Sequence, residues 1–220
     1  MNQVSRTPVP TPLKLGFTAF MMVLVPSYWA SYGPTNFLYF CDVALFLTLA
    51  AVWTNNRLLV SAAAVGIVLP QIVWVADFLG HLVGVPPLGM TAYMFDPNLK
   101  LFYRGLSLFH GWLPFLLVYL VWRLGYDKRG FLLWVVLAEL LIIVCYLFMP
   151  PPTGAPRIPG ETNPPVNINY VYGLSDAGPQ QFMNPNLWVA LLMVGLPLLV
   201  YLPTHALFKK YLPVQQRYER

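Results

Sequence analysis

The chain alternates long apolar runs with short polar or proline-rich separators. Each run approaches the roughly 20 residues that an α-helix needs to cross a hydrocarbon layer about 30 Å thick. The pattern predicts six transmembrane helices, at about 13–32, 36–54, 58–82, 101–123, 130–149 and 187–208. Pro26, Pro70, Pro114, Pro197 and Pro203 fall inside these runs. Membrane helices tolerate proline where neighbouring helices satisfy the freed carbonyls, and kinks are expected at Pro70 and Pro114. No internal repeat is present. The predicted fold is therefore all-α: a polytopic membrane protein forming one transmembrane domain over residues 1–220.

Two separators are long. Residues 83–100 contain Pro86 and Pro87 and are expected to form a re-entrant or interfacial piece. Residues 150–186 hold nine prolines, beginning Pro150-Pro151-Pro152. A loop of this length is usually functional or irregular. Its stretch Asn167-Ile168-Asn169-Tyr170-Val171-Tyr172-Gly173 is less biased and is expected to pack as a lid.

Composition and charge orient the helices. The chain is 58% hydrophobic and only 10% charged, with a mean hydropathy of +0.61. A soluble domain carries about 25% charged residues. The aromatic content of 15% suits membrane interfaces, where Trp and Tyr collect. The net charge of +5 is not a nucleic-acid signature, because the basic residues sit in short clusters between apolar runs. With the N-terminus inside, ten of the thirteen basic residues are cytoplasmic: Arg6, Lys14, Arg57, Arg123, Lys128, Arg129, Lys209, Lys210, Arg217 and Arg220. Only Lys100, Arg104 and Arg157 are then external. The positive-inside rule thus predicts cytoplasmic N- and C-termini. The first run continues into the aromatic flank Tyr28-Trp29-Ala30-Ser31-Tyr32 and offers a poor cleavage signal, so it reads as a span rather than a signal peptide. Two cysteines imply no disulfide framework.

Ionisable residues inside spans are costly and face the bundle interior. Here they are Asp42, Asp77, His81, Arg104, His110 and Glu139, joined by Cys41 and Cys145. Counting from the helix ends puts Cys41, Asp42, Asp77, His81 and His110 in the outer half of the bilayer. Asp77 and His81, four apart, share a helix face. Each residue also has a structural reading. Asp77 and His81 make a satisfied pair, Cys41 is a small apolar filler, Glu139 binds a neighbouring helix, Arg104 snorkels to outer headgroups, and His205 is interfacial.

The segment Phe37-Leu38-Tyr39-Phe40-Cys41-Asp42-Val43-Ala44-Leu45 resembles the Pro-Leu-His-Leu-Cys-Asp segment of the YwaF-like bacterial integral membrane proteins. His110-Gly111 and Asn169-Tyr170 are similar to that family's later motifs, in the same order. Tyr39 and Phe37 stand where the family has histidine and proline. That family is related to a eukaryotic transmembrane ether-phospholipid acyltransferase, and distantly to androgen-induced-gene-type hydrolases of fatty-acid esters. The hydrolases' histidine span is similar to His110-Gly111-Trp112-Leu113-Pro114-Phe115. The resemblance implies a six-helix protein of a bacterial inner membrane, with Cys41 as nucleophile and His110 as base.

On that expectation His110 takes the thiol proton and the thiolate attacks a lipid ester. Asp42 or Asp77 orients a histidine, as the third member of a triad does. His81 lies in the surrounding shell, and Tyr39, Asn36 and Asn169 are candidate oxyanion donors. Membrane lipid is the partner, with no nucleic acid and no cofactor. Two alternatives stay open. A metal-dependent enzyme would use Asp77, His81 and His110 as ligands for zinc or iron. A non-catalytic subunit of a larger membrane complex would use the polar residues as packing glue. A transporter is disfavoured, because repeated halves and paired broken helices are missing.

Overall fold

The computed structural model describes residues 8–152, 165–176 and 178–212. Arg6, Arg157, Arg217 and Arg220 lie outside them. Among the described residues the chain forms helices and turns with no strand. The helices are α1 (Thr11–Tyr32), α2 (Phe40–Thr54), α3 (Arg57–Leu82), α4 (Leu101–Ser107), α5 (Phe109–Leu124), α6 (Arg129–Phe148), α7 (Pro185–Leu196) and α8 (Leu202–Tyr211). Short α4 and α5 run on as one rod broken at Leu108, and α7 and α8 are joined by a single wide π-type turn at Pro197–Tyr201. Five of the resulting rods are long and apolar enough to cross a membrane.

The element expected at 36–54 differs. Its α-helical part, α2, has 15 residues, shorter than a usual span. Residues Pro34–Leu38 instead form a 3₁₀ turn, because Asn36 turns inward to bond Asp42. α3 runs unbroken through Pro70, whereas the α4–α5 break lies at Leu108, ahead of Pro114.

Helix α3 is the most buried rod and packs against α2, α5 and α6. Its small residues Ala62, Ala63, Ala64 and Gly66 let its neighbours approach closely, as membrane helix interfaces do. A Cβ on Gly66 would lie 1.8 Å from the Trp134 indole of α6, and one on Gly130 would lie 2.7 Å from Ser61 of α3. Trp134 is fully buried as a result. The α2–α3 connection is minimal. Asn55 takes φ +50°, and Asn56 caps α3 by accepting the N–H groups of Leu58 and Leu59.

Side-chain contacts define the two ends of the bundle. At one end the Val9 N–H donates to Asn55 Oδ1 at 2.7 Å, Arg123 donates to the Pro8 carbonyl at 2.9 Å, and the Tyr126 hydroxyl meets His205 Nδ1 at 2.7 Å. The opposite end holds residues 83–100 and the described part of the second long segment. There the segment expected to be re-entrant or interfacial forms a largely exposed hairpin, in which Thr91 and Met94 are buried, with a 3₁₀ turn at Ala92–Phe95.

Candidate functional site

Asp77 sits near the end of α3 with 0% exposure. Its Oδ1 accepts the backbone N–H groups of Leu88 at 2.7 Å and Gly89 at 2.8 Å. Its Oδ2 accepts both the N–H and the hydroxyl of Thr91 at 2.8 Å. Four donors occupy all four lone-pair directions of the carboxylate. His81, one turn on, places Nδ1 2.8 Å from Thr91 Oγ1 and 3.8 Å from Asp77 Oδ2. The Thr91 hydroxyl proton is committed to Asp77, so His81 Nδ1 carries the proton in its own bond. The His81 ring stacks on Phe95 at 5.0 Å. Asp77, Thr91 and His81 together fasten the 83–95 segment to α3.

His110 lies in the first turn of α5. Its Nδ1 donates to the Ser107 carbonyl at 2.8 Å. The ring stacks against Trp74 at 5.2 Å and Phe109 at 4.0 Å. Ser107 Oγ meets the Tyr28 hydroxyl of α1 at 3.1 Å. In the neutral ring the Nδ1–H bond leaves Nε2 as an acceptor.

Cys41 and Asp42 begin α2. Both Cys41 and Cys145 are free thiols, and Cys41 is half-buried in the main apolar core. Cys41 and His110 share no hydrogen bond. Asp42 is 2% exposed; Asn36 donates to its Oδ2 at 3.1 Å, while its Oδ1 has no partner among the described residues. A carboxylate in the first turn of a helix gains from the positive end of the helix dipole. Gln71 of α3, 3% exposed, has both amide atoms without a partner. On antiparallel helices joined by the Asn55-Asn56 turn, its position is close in depth to that of Asp42.

The lid segment engages this region directly. Asn169 Oδ1 accepts the Phe40 N–H at 3.0 Å, and its Nδ2 donates to the Leu38 carbonyl at 2.9 Å. The same nitrogen lies 3.7 Å from Cys145 Sγ. Ile168 and Val171 are buried beside Cys145 in a second apolar cluster. Tyr39 reaches the Val166 carbonyl at 3.5 Å. The amides of Asn169 and Asn36 are thus engaged with this chain's own groups.

The remaining polar residues have local tasks. Arg104 donates to the Met94 carbonyl at 3.3 Å, tying α4 to the outer hairpin. Glu139 keeps one oxygen without a partner, near the equally unpartnered Trp134 Nε1 and Tyr201 hydroxyl at the π-type turn. No group of three His, Cys, Asp or Glu side chains among the described residues is arranged to hold a metal.

Several residues here escape a sequence reading. Thr91, Ser107, Tyr28 and Gln71 matter through partners on distant elements. Gln71 and Ser107, polar residues inside apolar runs, carried a signal for burial. Compared with family models, with curated proteins and with solved structures, the chain matches none.

Proposed function

We propose that this protein is a six-crossing membrane protein with both ends cytoplasmic, and that it serves as a non-catalytic subunit of a membrane complex. Its intramembrane polar residues hold the bundle and its outer loops in register. The observation that carries this reading is the saturation of Asp77 by four donors from residues 88–91. A carboxylate so occupied has no lone pair to spare for a second histidine or a metal.

The six-crossing count rests on adding Pro34–Leu38 to α2. Fifteen α-helical residues rise about 22 Å, and a five-residue 3₁₀ turn adds about 10 Å. Laid end to end across the extended Tyr39, they reach at most the roughly 30 Å of a hydrocarbon layer. The cytoplasmic orientation rests on Lys14, Arg57, Arg123, Lys128, Arg129, Lys209 and Lys210, all at the Asn55 end, against Lys100 and Arg104 at the other. Broad apolar faces on α1, α6 and α8, with Met22, Leu132 and Leu207 exposed, are available to lipid and to neighbouring subunits. The test incubates purified, reconstituted protein with phospholipid and an acyl-phosphonate probe. The expected result is no lipid turnover and no labelling of Cys41. Turnover that disappears in Cys41→Ala would overturn the reading.

One observation favours lipid acyl transfer as a second reading, in line with the YwaF-like resemblance. The His110 Nδ1 bond to Ser107 leaves Nε2 as an acceptor, as a general base requires. In that reaction the Cys41 proton passes to His110, and the sulfur displaces a lipid alcohol from its ester. Water or a second alcohol then takes the acyl group. Both Cys41→Ala and His110→Ala must abolish turnover, and Cys41→Ala must do so with the melting temperature nearly unchanged; turnover retained in either variant removes this reading.

A further inference from the structure

The Asn55 end of the bundle contains a cleft that nothing above employs. It is open to solvent, has a volume of about 280 Å³ and is lined by Asn55, Asn56, Arg57, Asp127 and Arg129, among others. Asp127 is buried at its base. Arg129 grips Asp127 through two bonds, Nε to Oδ1 at 3.1 Å and Nη2 to Oδ2 at 2.8 Å. Arg57 Nε lies 3.3 Å from Oδ2. One carboxylate therefore faces two guanidinium groups, and a unit of positive charge remains.

Among the side chains of Asn55, Asn56, Arg57, Asp127 and Arg129, the acceptors are occupied and the free groups are donors. Asn55 Oδ1 is taken by the Val9 N–H, and Asn56 Oδ1 by the N–H groups of Leu58 and Leu59. Both amides are thereby fixed with their acceptor ends occupied. Their NH₂ groups, and the terminal nitrogens of Arg57, donate to no described residue. Helices α3 and α6 begin here while α2 ends at the lining residue Thr54, so their dipoles offset and the surplus positive charge is that of the guanidinium groups. A site with surplus donors and surplus positive charge is complementary to an acceptor-rich anion.

Depth narrows the class. Trp53, next to the lining residue Thr54, is about half exposed, and Lys14 lies over its ring at 5.7 Å. Such a Trp–Lys pair marks the headgroup level. Basic pockets between membrane helices at this level bind anionic headgroups. We propose that the Arg57–Arg129 cleft binds a phosphate group, carried either by an anionic phospholipid or by a soluble phosphate. This goes beyond the proposed function, since it holds whether or not the outer residues are catalytic.

The test uses the full chain in nanodiscs of phosphatidylcholine, with or without phosphatidylglycerol, and in detergent with inorganic phosphate or sodium chloride at matched ionic strength. Two variants accompany the wild type. Arg57→Gln retains the Arg129–Asp127 fork. Asn56→Ser retains a cap acceptor for α3 but lacks the amide donor. Thermal melting and native mass spectrometry of retained lipid are the readouts. Phosphatidylglycerol is expected to raise the wild-type melting temperature and to remain bound, with apparent affinity about fivefold lower in Arg57→Gln, the factor carried by one basic residue at a membrane surface. Asn56→Ser is expected to shift in the same direction. If inorganic phosphate reproduces the effect and phosphatidylglycerol does not, a soluble phosphate is the ligand. Equal responses of wild type and Asn56→Ser to every anion, or an effect matched by sodium chloride, overturn the proposal. If Arg57→Gln does not fold, Asn56→Ser decides on the same criteria.

Discussion

Asn169 caps helix α2 from 129 positions away: its Oδ1 accepts the Phe40 N–H at 3.0 Å, while its Nδ2 donates to the Leu38 carbonyl at 2.9 Å. Its φ of +59° is a conformation that asparagine tolerates better than most residues. Asn169→Ala removes both bonds and strains the backbone. The expected loss is about 1–2 kcal/mol, read from thermal or denaturant unfolding in detergent. Asn169→Asp keeps the Phe40 bond but sets an oxygen against the Leu38 carbonyl, so it should fall below wild type too.

Asp77 makes the corresponding clamp for the first long loop. In Asp77→Ala the buried Thr91 N–H loses its acceptor, while the Leu88 and Gly89 N–H groups turn to solvent. An unsatisfied buried donor costs about 1–3 kcal/mol. Limited proteolysis should then cut within residues 83–95 much faster than in wild type. Unchanged cleavage kinetics would show that the hairpin is held elsewhere.

Gly66 and Trp134 define the closest approach of α3 and α6. The added Cβ of Gly66→Ala would sit 1.8 Å from the indole, and overpacking of this kind typically costs about 1–3 kcal/mol. Trp134→Phe alone should destabilise as well, by vacating buried volume. The double variant should be more stable than the sum of the two losses predicts, because the clash is gone. Additive losses would refute the direct contact.

Asp127 gives a pH signature. The Arg129 fork, and secondarily Arg57, hold its carboxyl below the usual carboxylate range. The group contributes stability above its unfolded pKa of about 3.9, and that contribution is lost as pH falls through the folded pKa. The melting-temperature gap between wild type and Asp127→Asn should therefore be constant near neutrality and close below about pH 4. A gap that widens on acidification would contradict the ion pairing.

Orientation is testable with one engineered cysteine. With Arg220→Cys in intact cells, an impermeant thiol reagent should give no labelling above wild type, and permeabilisation should restore it. Labelling from outside would invert the topology.

The helical rods were legible in the sequence because their signal is local: each long apolar run needs only its own composition to demand lipid. The basic clusters were legible for the same reason. Of the candidate site, the common face of Asp77 and His81 followed from four-residue spacing alone. What occupies Asp77 did not follow, because Leu88, Gly89 and Thr91 reach it only along the path the loop takes after α3 ends. The shortening of α2 was equally hidden. Residues 36–39 are apolar enough to read as helix, yet Asn36 bonds Asp42 and Asn169 supplies the N-terminal cap at Phe40. The shared depth of Cys41 and His110 was a matter of helix length. Their side-chain partners depend on the rotation of α2 and α5 about their axes, which packing against α3 decides. Hydropathy determined which segments enter the bilayer; hydrogen bonds between residues far apart in the chain determined what their polar groups do there, since a buried donor or acceptor takes the partner that the assembled bundle brings to it.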